Sequence, residues 1–336
     1  MFNILIVKFG ALGDVVRTSY VLPGLYTKYG SPRIYWLTSS HSFDLLRFNP
    51  YVYSIATPEL NIDTLRDMTF DLVISLDDET EVLNIVDTLN GKEVTGAFLS
   101  HGKPAYSENA AEWFDMGLIS RFGKAKADEL KKINVREHNQ IFASMLDIEI
   151  AGPIFYNSSL TEQNKTSLFS GEFFNVGVNS GAGSRWLSKE LLLYETVKLI
   201  ERLLLLEVGG RKTAVYLLGG LEETERNAVI RDAIKSDRLF DTGNDNSILE
   251  FAAIIKGCDY VITSDSLALH LAISQKVKNL SFFSPTSAAE IGTFGTGSKV
   301  ISLSDDYCSY RRDAGNSSIT ADRILDAFLK HLKNTQ

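Results

Sequence analysis

Cysteine is almost missing from this sequence. Cys258 and Cys308 are the two present among 336 residues, too few for a disulfide framework and without metal-ligand spacing. Both read as free thiols of a reducing compartment. Long apolar runs are missing too, since none approaches the roughly 18 residues that cross a bilayer. No charged segment followed by an apolar one opens the chain, so no signal peptide is read there. Positive charge is not in excess. Lys and Arg number 34 against 42 Asp and Glu, a net charge of −8, which argues against a nonspecific grip on nucleic acid. The G-x-G-x-x-G turn of dinucleotide-binding proteins is also absent, so a nicotinamide-dependent oxidoreductase lacks its fingerprint.

What is present is alternation. FNILIVKF (2–9), RIYWLT (33–38), YVYSIA (51–56), FDLVISL (70–76) and EVTGAFL (93–99) are apolar, β-rich runs. Helical spacing falls between them, as in VVRTSYVLPGLYTKYG (15–30) and ETEVLNIVDTLNG (79–91). Such units predict a parallel sheet covered on both faces. Residues 100–145 break the rhythm with irregular chain and two polar or amphipathic helices, and 151–164 reads as a linker. Lys124, Lys126, Lys131, Lys132 and Arg136 there read as a solvated helix face. The alternation then restarts with strands at 173–180, 213–220, 258–265 and 277–286 and helices at 189–208, 222–236, 247–257, 266–274 and 321–334. The expectation is an α/β chain of two Rossmann-like, doubly wound domains. The first covers 1–155 and the second 165–318. A helix over 319–336 is a candidate for packing back on the N-terminal domain.

Ligands of such sheets lie beyond the carboxyl ends of the strands, which singles out a few loops. The first is Gly10-Ala11-Leu12-Gly13-Asp14, where Asp14 is either a helix N-cap or a chemical group. NSGAGSRWLSKELL (179–192) carries Ser184, Arg185 and Lys189 in a Gly- and Ser-rich turn suited to phosphate. LGGLEETER (218–226) sets Glu222 and Glu223 at a strand end. TSDSLALHLA (263–272) puts Asp265 and Ser266 where a buried strand meets a helix, with His270 one turn on.

In that order, KFGALGDVVRTSYVLPGL, GAGSRWLSKELL, GGLEETER and SDSLALHLAIS…FFSPT resemble glycosyltransferase family 9, the ADP-heptose lipopolysaccharide heptosyltransferases and their relatives. The resemblance implies the GT-B fold, with two Rossmann-like domains facing across a cleft. It implies an inverting, metal-independent transfer from a nucleotide-diphosphate sugar, with ADP-heptose suspected, to a glycan or lipopolysaccharide-type hydroxyl. No D-x-D triplet is found, and no cofactor is expected beyond the nucleotide-sugar co-substrate. The family's catalytic aspartate falls on Asp14 and its phosphate-binding lysine on Lys189. Its ribose-side glutamate falls on Glu222 or Glu223, and an adenosine-contacting position falls on Asn246. Its D-[TS]-G-x-x-H falls on Asp265, Ser266, Leu267 and His270. The partners implied are the donor and a glycan or glycolipid acceptor, with no nucleic acid. The implied location is cytoplasmic, with peripheral contact at the inner membrane left open. Leu267 and Ser284 stand where the family has glycine, and Glu190-Leu191 follow Lys189 in place of a basic residue and Trp. The rival readings on the same fold are a nucleotide-sugar epimerase and a nonenzymatic nucleotide-sugar-binding protein.

Overall fold

The computed structural model describes residues 1–117, 122–183 and 186–334. The chain divides into two units, Met1–Tyr156 and Asn157–Gln336.

In the first unit the strands are β1 (Asn3–Val7), β2 (Arg33–Leu37), β3 (Val52–Ala56), β4 (Thr69–Phe70), β5 (Leu72–Ser75), β6 (Asn90–Gly91), β7 (Val94–Ser100) and β8 (Lys103–Tyr106). The main sheet runs β3-β2-β1-β5-β7-β8. It is parallel but for the β7–β8 hairpin. Ile4, Leu5, Ile6 and Val7 are fully buried along β1, as a strand covered on both faces requires. The helix read over 15–30 is two short helices, Leu12–Thr18 and Leu22–Lys28, joined by a 3-10 turn.

The second unit holds β9 (Phe174–Asn179), β10 (Glu207–Val208), β11 (Arg211–Leu217), β12 (Leu239–Asp241), β13 (Tyr260–Ser264), β14 (Lys278–Phe283) and β15 (Gly297–Ile301). The order is β10-β11-β9-β13-β14-β15, with β12 paired to β11. Two expectations change here. The segment 151–164 contains a helix from Ser159 to Thr166, opened by Ser158 Oγ accepting from Thr161 N at 3.1 Å. The helix read over 189–208 spans Leu193–Leu204, because the chain turns after Leu205 into the β10–β11 hairpin. The C-terminal helix, Ala321–Asn334, buries Ile324, Leu325, Phe328 and Leu332 with Leu199, Ile200, Leu203 and Tyr260. Its apolar stripe recurs at helical spacing, and it docks in the second unit's own core. Cys308 is fully buried, and Cys258 at the foot of β13 is buried as well.

Each sheet has a point where the chain order reverses direction. In the first it lies between β1 and β5, in the second between β9 and β13. These are the positions at which open α/β sheets bind ligands.

Candidate active site

The first unit brings its charged groups to the β1/β5 switch. The backbone polar atoms of Lys8 and Phe9, which follow β1, are tied down. Lys8 O accepts from Thr38 Oγ1 at 2.7 Å and Trp36 Nε1 at 3.3 Å. Phe9 O accepts from Ser39 Oγ and Ser42 Oγ, both at 2.9 Å. Phe9 N donates to Asp77 Oδ2 at 2.5 Å, and Lys8 Nζ makes a close ion pair with Asp77 Oδ1. Burial works against the Lys8 ammonium, but Asp77 and then Asp14 outweigh it and its pKa is raised. Asp77 sits two residues past β5, in a run of three acids between the strand read over 70–76 and the helix that begins at Thr80. Its neighbour Asp78 accepts from Tyr106 OH at 3.0 Å, and burial pushes its carboxyl up.

Gly10 lies in the loop, with open space where a side chain would stand, and Gly13 is buried inside the helix. Ala11 is the N-cap of Leu12–Thr18, and its carbonyl accepts from Asp14 N at 2.9 Å and Val15 N at 3.1 Å. Asp14 is thus the third helical residue, not the cap. Its Oδ1 lies 2.8 Å from Arg17 Nη2, and the Arg17 guanidinium lies 5.4 Å from the centre of the Trp113 ring. The acid at the helix start complements the helix dipole and stands one third exposed, within reach of a ligand.

The second unit does the same at the β9/β13 switch. Lys189 lies in a 3-10 turn, Leu187–Lys189, ahead of the helix on which it was expected. Its Nζ donates to Asp265 O at 2.8 Å and to Oδ2 at 3.0 Å. His270 Nε2 lies 3.7 Å from Asp265 Oδ1. Burial pushes the Asp265 carboxyl up, but Lys189, then His270 and Thr286, outweigh it and hold it well below the usual carboxylate range. Ser266 is the N-cap of Leu267–Ser274. Its Oγ accepts from Asn179 Nδ2 at 3.0 Å and lies 3.1 Å from Thr263 Oγ1. Leu267, half-buried, is that helix's first residue.

Glu223 is nearly buried and joins two loops. Its Oε1 accepts from Gly183 N at 3.0 Å and its Oε2 from Gly220 N at 2.8 Å. A Cβ at Gly181 would overlap the Glu223 side chain, which is why the loop needs glycine there. Glu222 is exposed beside it. Asn246 bonds within its own turn, donating to Thr242 O at 3.0 Å and Gly243 O at 2.9 Å, and accepts from Lys165 Nζ at 2.8 Å. Ser284 Oγ donates to Gly315 O at 2.9 Å. Ser184 and Arg185 lie outside the described residues. In the basic segment Lys124, Lys126 and Arg136 pair with Asp128, Glu129 and Glu112, and Lys131 is buried. Among the described residues, no group of three or more His, Cys, Asp or Glu is placed to hold a metal ion, and no helix is long and apolar enough to cross a membrane.

Two doubly wound α/β units in one chain make the architecture of the GT-B fold. The chain is similar over 99% of its length to the glycosyl transferase family 9 structure from Veillonella parvula, with 15% identity, 98% of that chain covered and a TM-score of 0.77. It is similar over 99% of its length to E. coli ADP-heptose LPS heptosyltransferase II, with 15% identity, 99% of that chain covered and a TM-score of 0.72. Against E. coli heptosyltransferase WaaC with ADP the values are 14% identity, 99% and 98% coverage and a TM-score of 0.65. No curated relative matches the sequence. Residues 202–319 match the family model described as glycosyltransferase family 9 (heptosyltransferase). The match to that family model lies within the second unit, and the likeness to the solved structures is one of fold.

Proposed function

We propose that this protein is an inverting glycosyltransferase that moves a heptose-like sugar from a nucleoside-diphosphate sugar to a glycan or lipopolysaccharide-type hydroxyl. The observation that carries the reading is the pair of switch-point sites. One presents a partly exposed carboxylate in the first turn of a helix, and the other presents a lysine and a histidine around an ionised aspartate. In this reading the acceptor hydroxyl attacks the anomeric carbon, and Asp14 takes its proton. The new carbon–oxygen bond forms as the bond to the diphosphate breaks, and the electron pair leaves with the phosphate. Lys189, His270 and the N–H groups of Ser266 and Leu267 meet the charge that develops there. The ribose side is assigned to the Glu222–Glu223 pair, of which Glu223 also accepts from Gly183 N and Gly220 N. Leu267 and Glu190 shape which donor is accepted. The protein works in the cytoplasm, at the inner face of the membrane that holds its acceptor.

Calorimetric titration of the full chain with ADP, UDP and GDP in excess chelator tests the donor side, and turnover of ADP-heptose with a lipopolysaccharide core acceptor tests the transfer. Binding of ADP and sugar transfer without divalent metal are expected. Failure to bind any nucleoside diphosphate would overturn the reading.

A further inference from the structure

The Lys189 turn is held by a second, half-buried cation. Arg226 belongs to the helix Thr224–Ala233, one turn after Glu223. Its side chain is 17% exposed. Its Nε donates to Ser180 Oγ at 2.9 Å, on the residue that follows β9. Its Nη2 donates to Leu191 O and, at 3.1 Å, to Thr196 Oγ1, and its Nη1 lies 3.5 Å from Glu190 Oε2. Leu191 N in turn donates to Ser180 O at 3.0 Å. One guanidinium therefore joins the carboxyl end of β9 to both residues that follow Lys189 and to the first turn of the next helix. Only arginine offers a planar fork of five donors for such a junction. On the far side, Ser188 Oγ donates to Arg311 O at 2.9 Å and Asn316 Nδ2 to Glu190 O at 2.8 Å. The turn is pinned from two directions, and Lys189 is presented to Asp265 from a fixed base.

We propose that Arg226 is a positioning residue for Lys189, fixing the Leu187–Leu191 segment so that the lysine meets a nucleoside diphosphate without reorganisation. The role toward nucleotide rests on the donor-site reading above; the positioning itself does not. A ligand group held in place before binding saves the ordering cost that a mobile one incurs. Removing Arg226 should therefore weaken the donor and leave the acceptor's KM alone.

The test uses the full chain with Arg226→Met, Arg226→Lys and, as control, Arg231→Met. Arg231 lies on the same helix in an exposed pair with Asp241. Hydrogen exchange in peptides covering 186–193 and the ADP dissociation constant are measured for each. In Arg226→Met, exchange in those peptides should quicken at least about tenfold and ADP affinity fall at least about tenfold. Arg226→Lys, which keeps the charge but not the fork, should recover part of both and covers the case in which the methionine variant fails to fold. Exchange and affinity in the Arg226 variants equal to those of the Arg231 control would overturn the proposal. If the wild type binds no ADP, the nucleotide reading fails, and exchange alone decides whether Arg226 positions the turn.

Discussion

Lys189 directs two of its three ammonium protons into Asp265, at 2.8 Å from the carbonyl oxygen and 3.0 Å from Oδ2. The lysine expected to meet a phosphate is thus already the counter-ion of an aspartate that is 12% exposed. Lys8 and Asp77 repeat the arrangement at the other switch point. In each unit the cation follows the strand on one side of the reversal and the acid follows the strand on the other, so the pair closes the crevice between them.

Removing one member of such a pair should therefore cost stability as well as ligand. Lys189→Met leaves Asp265 without its main counter-charge, a loss of roughly 3 kcal/mol for a buried pair. Urea denaturation should show that loss, and Lys189→Met combined with Asp265→Asn should be more stable than Lys189→Met alone. Equal stabilities for the single and double variants would show that the two groups do not interact in the folded chain.

The same pair sets a pH dependence. The Asp265 carboxyl titrates lower in the folded chain than in the unfolded one, so the unfolded state binds its proton first. Its stabilising contribution is complete above the unfolded carboxylate value of about 3.9 and fades as pH falls toward the depressed folded value. Melting temperatures of Asp265→Asn should fall less steeply than those of wild type from about pH 5 downward. Parallel curves would count against an ionised Asp265.

Asp14 is in the first helical turn beside Arg17, with Ala11 as the cap. Asp14→Asn loses a partly exposed ion pair and a dipole contact, about 0.3–1 kcal/mol. Under the proposed role of Asp14 as base, the variant should lose far more in rate, at least about a hundredfold, with ADP affinity unchanged. Single-turnover rates within a few-fold of wild type would remove Asp14 from the chemistry.

Asp77 holds Lys8 and Phe9 N, and through them the loop that leads into the helix of Asp14. Asp77→Asn keeps an acceptor for Phe9 N–H but strands the buried lysine. A loss of roughly 3 kcal/mol is expected, together with a fall in kcat and no change in ADP affinity. Lys8→Met with Asp77→Asn should regain much of the stability, since no buried charge is left unpaired and Phe9 N–H keeps an acceptor, but not the rate. Full recovery of turnover in that double variant would mean the clamp serves the fold alone.

Much of this was legible in the sequence. Strand positions followed from apolar runs such as NILIV and YVITS, because a strand buried on both faces needs no partner to declare itself. The Gly–Asp turn, Lys189 and the Asp265–His270 spacing were readable for the same local reason. The helix Ser159–Thr166 was not, since it buries no residue and leaves no apolar stripe to read. Helix 193–204 was read too long because the run LLLLEV has no internal stop and the turn after Leu205 is set by the β10–β11 hairpin.

What only the tertiary structure decided is who meets whom. Lys8 finds Asp77 69 residues away, Lys189 finds Asp265 at a separation of 76, and Glu223 reaches Gly183 at a separation of 40. None of these partners has a local signal, because each is chosen by strand order. The chain runs β1, β2, β3 to one side and β5, β7 to the other, and that reversal alone sets Asp77 beside Lys8. Local propensity made the strands and turns of this protein. The order in which the sheets assembled them made the charged pairs.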